Sequence, residues 1–333
     1  MRDRDAVPPD SRIPAPVRGF WVVASAQARI LGRAYFAAQA VLGAAWWIGV
    51  AVWSEVGRVT LGALDPRWVA VLDIPLFVVA SGAAALGFTW PRRVAVVWTV
   101  LVAAAMVGYA TATGLAGWGA LLMIAAAVGS VLAAMLVAHG RVPAERLLRG
   151  PLAFQVAPAR GPDQQFVRTL LQLTGFWVLF LAIIPAVLVF VEIRWGIRVA
   201  WVPAVRSAGA VMLVLASGLG LWAARTMARL GDGTPLPSAS PNRLVIAGPY
   251  RWVRNPMAAA GIAQAIGVGL LMSSWTTVVY AVCGALYWHA LVRPLEEADL
   301  EVRFGEAFRR YRECVGLWVP WRGALRQRCA TRR

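Results

Sequence analysis

Long apolar blocks alternate with short polar connections from residue 34 to residue 293. Eight blocks stand out, at about 34–53, 69–90, 94–113, 118–138, 170–191, 207–224, 257–273 and 275–293. A hydrocarbon core roughly 30 Å thick is crossed by about 20 apolar residues in a helix, so each block is read as a span. The seventh is the shortest and carries Gln264. Backbone polar groups cannot stay unpaired in lipid, and the blocks show no strand alternation, so they are helices. The pattern predicts an all-α integral membrane protein of about eight transmembrane helices. The last two form a C-terminal hairpin. An interfacial amphipathic helix follows, its apolar stripe running through Leu300, Phe304, Phe308, Tyr311 and Val315 at helical spacing.

The polar connections divide the chain. Residues 1–33 read as a cytoplasmic tail rich in Pro and Arg, because the apolar run Phe20 to Ala24 is shorter than the roughly 7–15 residues of a signal peptide. Residues 34–138 form a four-helix unit. Residues 139–169, where Pro and Gly recur without helical periodicity, form a cytoplasmic linker. Residues 170–321 form a second unit, and 322–333 a basic tail.

Charge orients this arrangement. The tail before the first block holds Arg2, Arg4, Arg12, Arg18, Arg29 and Arg33, the turn after the second holds Arg92 and Arg93, and further arginines fill 139–169, 225–256 and the C-terminus. With eight spans all of these lie on one side, which places both termini in the cytoplasm. One loop is discordant: 192–206 carries Arg194, Arg198 and Arg206 on the opposite side. Tryptophans at block ends (Trp53, Trp68, Trp90, Trp118, Trp195, Trp201 and Trp275) are expected as interfacial anchors.

Composition narrows the function classes. Hydrophobic residues are 59% of 333, which excludes a soluble globular protein. The net charge of +17 comes from arginine alone, and its scatter through alternate loops argues against nucleic-acid binding. Three cysteines without metal-like spacing and two histidines argue against a metal site. The basic tail "RGALRQRCATRR" is expected to contact anionic headgroups of membrane lipids. Asp73, an acidic residue inside a span, is a functional candidate by position, although solvation near the helix end would explain it equally.

Chemistry concentrates between Trp222 and Pro320. "GPYRWVRNPM" (248–257) precedes the seventh block, with Pro256 suited to the first turn of a helix whose free N–H groups favour an anion. The eighth block runs into "RPLEEADLEVRFGEAFRRYRECVGLWVPW". There Glu296 and Glu297 point about 100° apart on a helix, so at most one faces any given pocket. His289, Arg293 and Glu296 share a helical face, with Pro294 expected to kink it; His289 is read first as a hydrogen-bonded interior residue.

These two motifs, with a helical hairpin between them, resemble the isoprenylcysteine carboxyl methyltransferase and phospholipid methyltransferase family over residues 205–321. "GTPLPSASPNRLVIAG" is similar to its bacterial branch. The resemblance implies an integral-membrane, S-adenosylmethionine-dependent methyltransferase in the cytoplasmic membrane of a prokaryote, with its active site facing the cytoplasm. It implies a cofactor site lined by Leu244, Val245, Gly248, Tyr250, Arg251, Arg254, Asn255 and Pro256, flanked by Glu296 and Glu297, with Arg309, Tyr311 and Arg312 nearby. Catalytic roles fall to Glu296, Glu297, Arg254 and Asn255. Ala258 stands where the family often has Tyr, and Asn255 where relatives carry a titratable His.

Arginine can clamp the cofactor's carboxylate bidentately, while a glutamate can hold its ammonium or balance its sulfonium. Asn offers no base, and a carboxylate acceptor needs none. The expected reaction is therefore carboxyl O-methylation of a lipophilic, isoprenylcysteine-like acceptor. The alternatives are an NADPH-dependent sterol-reductase-like enzyme, against which the acidic pair speaks, and a non-enzymatic bundle, which would scatter polar residues across many spans.

Overall fold

The computed structural model describes residues 15–142, 170–231 and 242–319, with side chains from Ala26 onward. All regular structure there is helical; the one β-type contact is an isolated bridge between Val253 and Gly316. Among the described residues nine α-helical elements follow in order. They are α1 (Ala15–Val52), α2 (Ser54–Leu61), α3 (Pro66–Ala85), α4 (Thr89–Thr113), α5 (Gly117–His139), α6 (Leu170–Arg194), α7 (Pro203–Leu230), α8 (Pro256–Leu271) and α9 (Trp275–Cys314).

Seven of these are long and apolar enough to cross a membrane. The expected count of about eight falls by one at α8. Its 16 residues rise about 24 Å, short of a roughly 30 Å core. The polar turn Met272–Ser274 stops it early. At the N-terminus, α1 starts well before the first apolar block, so residues expected as tail are helical from Ala15. Most of the linker, the stretch 232–241 and the basic tail lie outside the described residues.

Proline shapes the spans. Three stretches widen into π-helix: Ile74–Val79, Trp177–Ile183 and Trp288–Val292. Pro75 lies within the first; Pro185 and Pro294 follow the other two by two residues. A proline inside a helix lacks an N–H and collides with the carbonyl four residues back, and a widened turn relieves both problems. The kink expected from Pro294 thus takes the form of a π-turn.

The chain forms two compact units, residues 1–143 with 194–197, and 144–193 with 198–333. In the first, Phe36 is fully buried among Ala80, Ala84, Ala95 and Ala133, small residues that let helices approach closely without a hydrophobic drive in lipid. Hydrogen bonds reinforce this packing: Gln39 Nε2 donates to Ser81 Oγ at 3.0 Å, and Ser130 Oγ donates to Gln39 Oε1 at 2.9 Å. Asp73 is buried and accepts from Trp47 Nε1 at 3.0 Å and Trp98 Nε1 at 2.9 Å. Both carboxylate oxygens are thereby occupied, which assigns this intramembrane acid to helix–helix cohesion.

In the second unit α7 and α8 pack at backbone distance. A Cβ at Gly267 would lie 2.9 Å from Leu213 N and 3.0 Å from Gly209 O, too close for any side chain. The α8–α9 turn is anchored by Glu192 of α6, fully buried, whose Oε1 accepts from Ser274 Oγ, Thr276 N and Thr276 Oγ1 at 2.7–3.0 Å. The discordant arginines have local work. Arg194 donates to the carbonyls of Thr111 and Ala112 at the end of α4. Arg198 and Arg206 donate to those of Met272 and Leu271 at the end of α8. Cations at helix C-termini satisfy orphan carbonyls and complement the macrodipole. Trp53, Trp68 and Trp90 are exposed as anchors should be, whereas Trp195 is buried and donates to Thr111 Oγ1 at 3.1 Å.

Candidate active site

At 40 residues α9 is about 60 Å long, twice a hydrocarbon core, so only part of it crosses. Its apolar part ends at Val292. From Arg293 to Cys314 half of the residues are charged, and the helix turns at Gly305 (φ 53°, ψ −126°). The stripe expected over Leu300 to Val315 therefore bends. Its members still collect into one cluster, with Phe308, Tyr311 and Val315 buried and Leu244, Leu300 and Phe304 packed on them.

This charged part of α9 meets the 248–257 segment. Gly248 opens the 3-10 turn Gly248–Arg251 at φ 56°, and a Cβ there would also sit 2.8 Å from Thr226 Oγ1. Only glycine is comfortable in both respects. Tyr250 is buried, and its carbonyl accepts from Tyr311 OH at 2.7 Å. Arg254 N donates to Gly316 O at 2.9 Å, beside the Val253–Gly316 bridge. Two motifs more than forty residues apart thus form one structure.

Asn255 then starts α8. Its Oδ1 caps Ala258 N at 3.0 Å, with Pro256 buried at the first helical position. That bond fixes the amide, so Nδ2 faces Glu296 and donates to Oε2 at 3.3 Å and Oε1 at 3.4 Å. One of the helix N–H groups expected to be free for an anion is therefore taken by Asn255 itself.

The two glutamates divide as their helical angle requires. Glu297 lies 2.9 Å from Arg254 Nη1 and 3.2 Å from Arg293 Nη1, and both ion pairs are largely shielded from solvent. Glu296 has no cationic partner among the described residues. Burial pushes its carboxyl up to about 7, Glu297 and Asp299 add to the rise, and the Asn255 amide opposes it. Burial likewise raises the Tyr250 phenol above its ordinary value, with Tyr311 and Glu296 contributing.

Glu296 and Asn255 line a cavity of about 490 Å³ between α6, α7, α8 and α9. The walls are Phe176, Trp177 and Phe180 from the π-turn region of α6, with Ile262, Ala281 and Trp288 opposite. This aromatic wall was not foreseen. Its signal was no more than a cluster of rings in an apolar block, which any span can show. His289 stays out of the cavity lining, accepting from Trp318 Nε1 at 3.2 Å.

Of the residues implied by resemblance, Tyr250, Arg254, Asn255, Glu296, Glu297 and Tyr311 come together. Leu244 and Val245 serve the packing beneath. Arg251 stacks over the Trp252 ring at 4.6 Å, exposed. Arg309 and Arg312 pair with Glu306 and Glu301 around the Gly305 corner, Arg312 to Glu301 at 2.9 Å. Those two arginines brace α9.

Among the described residues, Tyr250 OH and Arg254 Nε are buried donors without an acceptor, while Arg254 Nη1 has its ion pair with Glu297. A phenol OH and one guanidinium N–H without acceptors, the latter on an arginine already held by Glu297, form a donor set that fits the carboxylate of an amino-acid group. Among the described residues no group of three His, Cys, Asp or Glu side chains could hold a metal ion. Neither the curated proteins nor the solved structures contain a match to the chain. Residues 205–307, which run from α7 through α8 to the charged part of α9, match the model of the phospholipid methyltransferase family.

Proposed function

We propose that the second unit transfers a methyl group from S-adenosylmethionine to a lipophilic acceptor held in the membrane. The observation that carries this reading is Glu296, a carboxylate without a cationic partner at the polar end of an apolar cavity. The cofactor supplies, when bound, a methyl group on a sulfonium. Tyr250 OH and Arg254 Nε are the donors suited to its carboxylate, and Glu297 holds Arg254 in place. The cavity orients the acceptor and excludes water, which is most of what an in-line displacement asks of a protein. The arginine-rich connections support a site on the cytoplasmic side of the membrane.

The acceptor's chemistry follows from Glu296. A carboxylate acceptor, expected from Asn255, would come to the same end of the cavity as the Glu296 carboxylate, and like charges repel strongly where water is excluded. An amine or hydroxyl would be attracted, and Glu296 would take its proton as general base, with a proton affinity suited to neutral pH. We therefore favour an acceptor that carries a removable proton. Carboxyl methylation is the second reading, supported by the absence of a titratable group at Asn255.

The test is methyl transfer by the purified protein from labelled S-adenosylmethionine to defined lipids bearing one amine, one hydroxyl or one carboxylate. Label in the amine or hydroxyl lipid is expected. Label in the carboxylate lipid alone would select the second reading, and no binding of the donor would end both.

A further inference from the structure

Gln264 is a polar residue within the apolar part of α8, nine residues beyond Asn255, or about 14 Å along the helix axis. Its side chain is 3% exposed and lines the cavity. Nε2 donates to Ser217 Oγ at 3.0 Å, and Ser217 Oγ donates to Leu213 O at 2.7 Å. Ser217 has spent its single proton on Leu213, so it can only accept from Gln264. The amide is therefore fixed with its NH2 toward Ser217. Its carbonyl oxygen has no partner among the described residues.

A carboxamide carbonyl without a partner in an apolar cavity is costly unless something bonds to it. Gln172, in the first turn of α6, adds a second such group to the same lining, its Oε1 buried and unpartnered. With Glu296, three residues carrying acceptor oxygens belong to a lining that is otherwise mainly aromatic and aliphatic. Such a lining selects for donors on the ligand.

We propose that Gln264 is a specificity residue, presenting its side-chain carbonyl to a hydroxyl or N–H carried in the body of the lipid acceptor, well away from the group that is methylated. The proposal rests on the cavity being the acceptor site. Ser217 acts as a positioning residue, holding the amide in the one orientation that offers oxygen to the ligand. A plain alkyl chain leaves this carbonyl unmet; a chain bearing a second hydroxyl at the matching depth satisfies it.

The experiment compares two neutral probes, 1-octadecanol and 1,12-octadecanediol, by competition against tritiated 1-octadecanol on the full-length protein in detergent. In wild type the diol is expected to bind about fivefold tighter, the worth of one hydrogen bond. In Gln264→Leu the order reverses, because the second hydroxyl then enters an apolar wall unpaired. In Ser217→Ala, which removes only the group that orients the amide, the preference falls toward parity; this variant serves if Gln264→Leu does not fold. Equal binding of the two alcohols to wild type, or full preference kept in either variant, overturns the proposal while leaving the cavity as acceptor site. Failure of both alcohols to bind overturns the acceptor reading and the proposal with it.

Discussion

Replacing Asn255 separates two functions that one side chain performs. Its Oδ1 caps α8 and its Nδ2 holds Glu296. Asn255→Asp keeps an equally good cap but sets a second carboxylate against Glu296. At the present 3.3 Å separation, with an effective dielectric of about 20, two unit charges repel by roughly 5 kcal/mol. One pKa unit corresponds to about 1.4 kcal/mol, so the pair would hold a shared proton at least two units higher than Glu296 alone holds its own. The sign follows from the base role: Glu296 works deprotonated, so raising its pKa from about 7 moves the rising limb of the rate profile to higher pH. Asn255→Ala instead loses the cap and is destabilised by about 1 kcal/mol. The assay pairs thermal unfolding with methyl transfer to an amine lipid between pH 5 and about 10. At pH about 5, where the pair shares a proton, Asn255→Asp should unfold close to wild type, whereas above neutrality it should unfold more easily and its rate profile should lie roughly two units or more higher. An unmoved profile would refute the assignment of Glu296 as base.

Other consequences follow from the same geometry. Glu297→Gln leaves Arg254 and Arg293 without a counter-charge and should cost about 1–3 kcal/mol in stability, seen in denaturant unfolding, and weaken donor binding through the displaced Arg254. Gly248→Ala meets both a positive φ and Thr226 Oγ1 at 2.8 Å, so a loss of about 1–3 kcal/mol is expected. Donor affinity measured by calorimetry should fall with it. Asp73→Asn sets an amide N–H against one of two indole N–H groups and should lower stability by about 1–2 kcal/mol. Donor affinity should stay unchanged, since cohesion of the first unit is the only role assigned to Asp73.

Much of the fold was legible because lipid imposes so strict a length on apolar helices. The exception is α8, whose boundary is set by the turn at Ser274 and the Glu192 cluster, contacts between segments more than eighty residues apart. The inequality of Glu296 and Glu297 was foreseeable from helix geometry, but not its direction. That depended on Arg254 reaching Glu297, which needed the pairing of Val253 with Gly316. Arg309 and Arg312 were expected near the cofactor by motif alone, and their ion pairs with Glu306 and Glu301 around the Gly305 corner could not be read from the sequence. The three arginines of 192–206 were discordant by charge count and became intelligible only as helix caps.

Methyl transfer to a lipid by the second unit, with Glu296 as general base, is the proposal on which these variants bear. Its most direct measurement is mass identification of the labelled product when the protein, in nanodiscs of native lipid, receives methyl-labelled S-adenosylmethionine, with Glu296→Gln alongside. A labelled lipid is expected from wild type and at least about a hundredfold less from the variant, the usual contribution of a general base. A lipid labelled equally by both proteins, or no labelled lipid at all, would contradict the proposal.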